Sequence, residues 1–128
     1  MVFYGEYEVS FSAPGRIVLP KKVREQLTGT SFVLTRGFDS CLSGYDQVLW
    51  EQKAGEVGSA STLLEQQDMK KKRFIFSSAA IVEIDEQGRF VIPKNLLTYA
   101  RLDKKVTIAG VGDHFELWNS EQWKKETA

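Results

Sequence analysis

Gly15-Arg16-Ile17-Val18-Leu19-Pro20-Lys21 recurs, 73 positions later, as Gly88-Arg89-Phe90-Val91-Ile92-Pro93-Lys94. The register holds on both sides without a gap. Val9 falls on Val82, Phe11 on Ile84, Val33 on Val106, Gly37 on Gly110, Tyr45 on Trp118 and Trp50 on Trp123. A short motif can recur by chance; a constant register carrying turn glycines, apolar residues and a closing tryptophan is hard to obtain that way. The chain therefore reads as a tandem duplication of one small unit, over 6–50 and 79–123, with 51–78 as the linker.

Each unit is short enough to sit near the lower limit for an independent core. The 128 residues suit one compact domain, so the two units are expected to share a core. Within the first unit, Glu6–Phe11 alternates polar and apolar residues, the period of a half-buried strand. Ser12–Gly15 is a turn, because proline presets one backbone angle and glycine permits positive φ. Arg16–Leu19 follows as a strand, Pro20 as the first helical position, and Lys21–Leu27 as a short helix stopped by Gly29. Ser31–Thr35 and Cys41–Tyr45 are strands around a turn at Gly37-Phe38-Asp39, and a helix carrying Trp50 begins near Asp46.

The second unit repeats this order. Ala80–Ile84 and Arg89–Ile92 are strands around the Asp85–Gly88 turn, and Pro93–Ala100 is a helix. Lys105–Ala109 and Phe115–Trp118 are strands, and Ser120 caps a terminal helix with Trp123. In the linker, Gly55, Gly58, Ser59 and Ser61 weaken the first part as a helix, whereas Thr62–Arg73 is helical and ends in Lys70-Lys71-Lys72-Arg73. That cationic run is either a solvated helix end or a phosphate-contacting patch.

Net charge is zero, with 17 basic and 17 acidic side chains, so composition alone does not favour nucleic acid. The arrangement is more telling: Arg16, Lys21, Lys22 and Arg24 occur with no acid among positions 16–24, and Arg89 and Lys94 repeat the pattern. A neutral chain can still present one basic face. An arginine fork beside a lysine and a helix start is suited to phosphate and guanine. A structural ion pair across the turn fits Arg16 and Arg89 equally well, with Asp85 the partner of Arg89. Gly15, Gly88, Pro20 and Pro93 are read as backbone devices.

Other chemistries find little support. His114 is the one histidine and Cys41 the one cysteine, so neither a paired catalytic base nor a cysteine metal cluster is expected. Gly110-Val111-Gly112 is a turn rather than a dinucleotide site. Trp50 and Trp123 are expected to pack each half. No apolar run approaches the roughly 20 residues that span a bilayer, and the amino terminus lacks signal-peptide features. The expectation is a soluble cytoplasmic protein without catalytic residues, cofactor, metal or small-molecule substrate.

The duplicated Gly-Arg-x-x-[Leu/Ile]-Pro unit resembles the SpoVT-AbrB domain. Two such units in one short chain, with Arg73–Ala79 before the second and Phe115-Glu116-Leu117-Trp118 with Trp123 at its end, resemble the MraZ family. The resemblance implies a mainly β fold with short helices (α+β), a swapped-hairpin AbrB-like β-barrel formed by two tandem pseudo-symmetric repeats. It implies a sequence-specific, nucleoid-associated transcriptional regulator that binds short direct repeats in double-stranded DNA upstream of a division and cell-wall gene cluster. It also implies a homo-oligomeric ring. The family's Asp-x-x-x-Arg pattern is intact at Asp85 and Arg89, but Ser12 stands in for the aspartate of the first unit, leaving Arg16 to another partner. The lysine common before the Gly-Arg pair is Pro14 here and Gln87 in the second unit. The same fold serves antitoxins that bind a toxin through a tail; with little chain after Trp123, that reading ranks second.

Overall fold

The computed structural model describes residues 1–59 and 66–128. Eight strands and five α-helices follow one another in these segments. The first half holds β1 (Glu6–Ser10), β2 (Arg16–Val18), α1 (Lys21–Arg24), β3 (Ser31–Arg36), β4 (Leu42–Asp46) and α2 (Gln47–Ser59). After α3 (Gln66–Phe76) come β5 (Ala80–Glu83), β6 (Arg89–Val91), α4 (Lys94–Ala100), β7 (Lys105–Gly110), β8 (Phe115–Asn119) and α5 (Ser120–Glu126).

The strands form a six-stranded antiparallel sheet in the order β1-β7-β8-β4-β3-β5 and a separate two-stranded ribbon, β2-β6. The expected closed barrel is not formed by strand pairing: β1 and β5 end the large sheet, and the ribbon hydrogen-bonds to neither of them. The fold is mainly β with short helices, and its pairings cross between the halves. β1 pairs with β7, β3 with β5 and β2 with β6.

The ribbon is joined at its ends by two reciprocal bonds. The Leu19 N–H donates to Gly88 O and the Ile92 N–H to Gly15 O, both at 2.8 Å. Gly15 and Gly88 sit at φ 71° and 82°, the left-handed region that glycine enters without steric cost. The ribbon's inward residues, Ile17, Leu19, Phe90 and Ile92, are buried with Val23 and Leu96 from α1 and α4. Phe32 of β3 then connects ribbon to sheet, its ring centroid 5.0 Å from Phe90 and 5.3 Å from Phe115. Such edge and tilted contacts add to the burial of large apolar rings.

Residues 73 positions apart recur in equivalent roles. Asp46 accepts the Leu49 N–H at the start of α2, and Asn119 accepts the Glu121 and Gln122 N–H groups at the start of α5. Asp46 also accepts from the Thr28 N–H at 2.7 Å, where Asn119 donates to Arg101 O at 2.8 Å. Tyr45 packs on Trp50 as Trp118 packs on Trp123.

Several local expectations need correction. Pro20 and Pro93 are the residues before α1 and α4, not the first helical ones, since their ψ angles of 143° and 142° are extended. The α1 helix ends at Arg24 rather than Leu27, because Asp46 takes both the N–H and hydroxyl of Thr28 and draws the chain out of the helix. Asn119 caps α5, while the Ser120 hydroxyl is buried against Thr107 at 2.8 Å. The α2 helix runs on through Gly55 and Gly58. Each glycine costs about 1 kcal/mol relative to alanine, and Asp46 offsets part of that by satisfying the first turn.

The α3 helix continues past Lys70–Arg73 to Phe76, because Phe74 packs on Tyr99 and Phe38, and Phe76 on Trp50. Lys70–Lys72 therefore lie within the helix, and Arg73 reaches its last turn. Of the expected Thr62–Arg73 helix, residues 62–65 lie outside the described residues. Beyond α3, Ser78 is buried and its hydroxyl lies 2.9 Å from that of Thr35 and accepts the Arg36 N–H at 3.1 Å. The 51–78 linker is thus fixed to β3 at its end.

Candidate nucleic-acid interface

Strand alternation decides what the ribbon shows to solvent. Ile17 and Phe90 face each other on the buried side, so Arg16, Val18, Arg89 and Val91 share the outer side. Arg16 stands opposite Val91 and Val18 opposite Arg89. The two sequence-predicted arginines thus lie on one face, joined by the cross-pairing of the two halves.

Each arginine is held by the residue four positions earlier. Asp85 Oδ2 accepts Arg89 Nε at 2.8 Å, while Asp85 Oδ1 accepts the backbone N–H groups of Gln87 and Arg89 at 2.9 and 2.8 Å. The Arg89 N–H, with the guanidinium and the Gln87 N–H, holds the Asp85 carboxyl below its ordinary value. In the first half, Ser12 Oγ accepts Arg16 Nε at 3.2 Å and donates to Arg16 O at 3.2 Å. Arg16 thus needs no partner elsewhere: Ser12 itself holds it in the aspartate's place. A neutral hydroxyl at longer range holds less firmly than a carboxylate, so the two turns share a frame but not a charge.

Arg24 lies at the second turn. Its Nε donates to Leu19 O at 2.8 Å, and its guanidinium covers Gly88, where a Cβ would stand 2.6 Å from Arg24 Cζ. The equivalent cover over Gly15 is Leu97. The first half thus contributes a cation to the turn of the second. Lys21, Lys22 and Lys94 are exposed in the opening turns of α1 and α4. Lys21 lies 4.0 Å from Glu25, an exposed i,i+4 pair worth little. With α1 a single turn of four residues, the anticipated contribution of helix starts to anion binding is small. The positive charge there lies on the arginine face and the exposed lysines.

Sequence reasoning missed Val18 and Val91 as surface residues. It treated both as generic strand formers, although the period of two that buries Ile17 and Phe90 also turns these valines outward beside the arginines.

His114 sits elsewhere, at the β7–β8 turn. Its ring stacks on Tyr45, its Nδ1 is 2.7 Å from Asp113 Oδ1, and its Nε2 is 3.9 Å from Glu116 Oε2. Burial pushes the imidazole down, but the Glu116 and Asp113 carboxylates outweigh it and the net shift is upward. Cys41 is buried, and burial, with Glu116 beside it, pushes its thiol up. Among the described residues, no group of three or more His, Cys, Asp or Glu is placed to hold a metal ion, and no helix is long and apolar enough to cross a membrane.

The His114 geometry carries a pH prediction. A raised folded-state pKa stabilises the fold below the unfolded value near 6.5 and loses that contribution as pH rises through the folded value. The melting temperature is expected to fall as pH rises through that window, and Asp113→Asn to flatten the dependence. Thermal melts between about pH 6 and 8.5 check it; an identical slope in the variant would contradict it.

The family model described as "MraZ protein, putative antitoxin-like" matches residues 2–73 and 75–128. A protein named Transcriptional regulator MraZ from Lactiplantibacillus plantarum is 42% identical over 125 residues, covering 97% of this chain and 86% of its own. Its namesake from Ligilactobacillus salivarius is 43% identical over 129 residues, covering 96% and 85%. That from Acetivibrio thermocellus is 42% identical over 124 residues, covering 96% and 85%.

Proposed function

Because the chain belongs to the MraZ family, we propose that it is a sequence-specific DNA-binding transcriptional regulator whose reading face is the outer side of the β2–β6 ribbon. The observation that carries this is the pair of arginines on that face, each held by a partner four residues earlier. A two-stranded ribbon fits the major groove, where an arginine fork matches guanine O6 and N7. Arg16 and Arg89 read base edges in this scheme, while Lys21, Lys22, Arg24 and Lys94 position the protein on phosphates.

The regulator acts in the cytoplasm at the nucleoid, on short direct repeats upstream of the division and cell-wall gene cluster. One ribbon is a small surface for specific recognition. A homo-oligomeric ring that places neighbouring subunits on successive repeats supplies the missing affinity through effective concentration. The cross-paired halves are read as a swapped-hairpin arrangement of two pseudo-symmetric repeats over 6–50 and 79–123. The words "antitoxin-like" in the family description keep a toxin-binding module as the second reading.

The test is footprinting of the purified protein on the DNA upstream of its own gene over a range of salt. Evenly spaced protected segments are expected, with the logarithm of the affinity falling linearly with log salt as counterions are released. Absence of protection at every salt concentration would overturn the assignment.

A further inference from the structure

Half of the ribbon's outer face is not basic. Val18 and Val91 are 38% and 58% exposed, although the inward Ile17 and Phe90, 0% and 2% exposed, already supply the ribbon's burial. The register sets Val18 opposite Arg89 and Arg16 opposite Val91, so the arginines occupy one diagonal of the face and the valines the other. Directly opposed side chains start about 4.5–5.5 Å apart and diagonal ones about 7–8 Å apart. Each valine therefore borders an arginine. A β-branched side chain suits a strand, but threonine would serve that need while leaving the surface polar.

Charge points to the occupant. The valines are framed by Arg16 and Arg89, with Arg24 covering the adjoining Gly88 turn and exposed lysines on α1 and α4. A polyanion is favoured over an apolar protein surface there. Of the base edges in the major groove, thymine presents an apolar group, its 5-methyl. We propose that Val18 and Val91 are specificity-determining residues that contact thymine 5-methyl groups beside the guanines read by Arg16 and Arg89. The proposal rests on the DNA-reading assignment of the ribbon. It makes the face a checkerboard in which each arginine–valine pair reads a guanine and a neighbouring thymine.

The experiment starts from duplexes enriched by the full-length protein from a random pool. Thymines in an enriched site are then replaced one at a time by deoxyuridine, which removes only the methyl group. At specific positions the wild type should lose about fourfold in affinity, the worth of burying one methyl-sized group. Val18→Ser and Val91→Ser should each become indifferent to deoxyuridine at one of those positions while keeping the guanine preference. Val18→Thr and Val91→Thr restore a methyl and the β-branch, so they should restore the sensitivity; melting temperatures report that every variant is folded. Deoxyuridine without effect at every position, enriched sites lacking thymine beside guanine, or serine variants with the full wild-type loss would each overturn the proposal. Failure to enrich any DNA would instead remove the DNA-reading assignment, and this inference with it.

Discussion

Arg16→Ala and Arg89→Ala are each expected to weaken specific DNA binding by about fivefold to 150-fold, the worth of one bidentate guanine contact. The double variant should lose measurable specific binding. The two sites are close neighbours on one face, so their effects need not add. Folding should survive both changes. Removing the Arg16 side chain frees only a Ser12 hydroxyl that retains its bond to Arg16 O. Removing that of Arg89 leaves Asp85 Oδ1 with the backbone N–H groups of Gln87 and residue 89, so the turn persists. The larger loss is expected at Arg89, because the carboxylate at 2.8 Å pre-orients it more firmly than a hydroxyl at 3.2 Å does Arg16. Gel shifts on an enriched site, with circular dichroism as the folding control, measure both effects. Wild-type affinity in both variants would remove the ribbon from the mechanism.

Phe32→Ala should lower stability by about 3–5 kcal/mol, the usual range for deleting a buried ring. Phe32 is fully buried and touches Phe90 on one side and Phe115 on the other. Its loss would therefore loosen the β2–β6 ribbon from the sheet that supports it, as well as leave a cavity. For a chain of this size the melting temperature should fall by about 10–20 °C. Calorimetry provides the measurement. A decrease below about 1 kcal/mol would mean that the core does not centre on Phe32.

Much of this architecture was legible locally. Alternation along Glu6–Phe11 and the β-branched runs after each Gly-Arg pair marked strands, and the ion pair of Asp85 with Arg89 was one of two equal readings of that arginine. What escaped depends on distant contacts. No local pattern says that β1 pairs with β7 or that β2 pairs with β6 across the halves. Nor does one say that Ser12 would itself bind the guanidinium of Arg16. The early end of α1 is set by Asp46, 18 residues beyond Thr28. The cationic run of α3 looked like a terminus because its continuation depends on rings that only the folded chain supplies. Arg24 read as one more cation of the first half, whereas its guanidinium, held by Leu19 O, lies over a glycine of the second. Capping was misplaced by one residue at Ser120, since serine and asparagine both suit the position and burial against Thr107 chose between them.

The pairing of β1 with β7 also has a consequence on the ribosome. Glu6 meets Ala109 and Ser10 meets Lys105, so the first strand is made about 100 residues before its partner. At roughly 5–20 residues per second, that strand waits about 5–20 s with its edge open. The segment Glu6-Tyr7-Glu8-Val9-Ser10 carries two glutamates during this interval, and inserted charge discourages strand-to-strand association with other nascent chains. In a chain with no net charge, these two glutamates thus fall on the strand that waits longest for its partner.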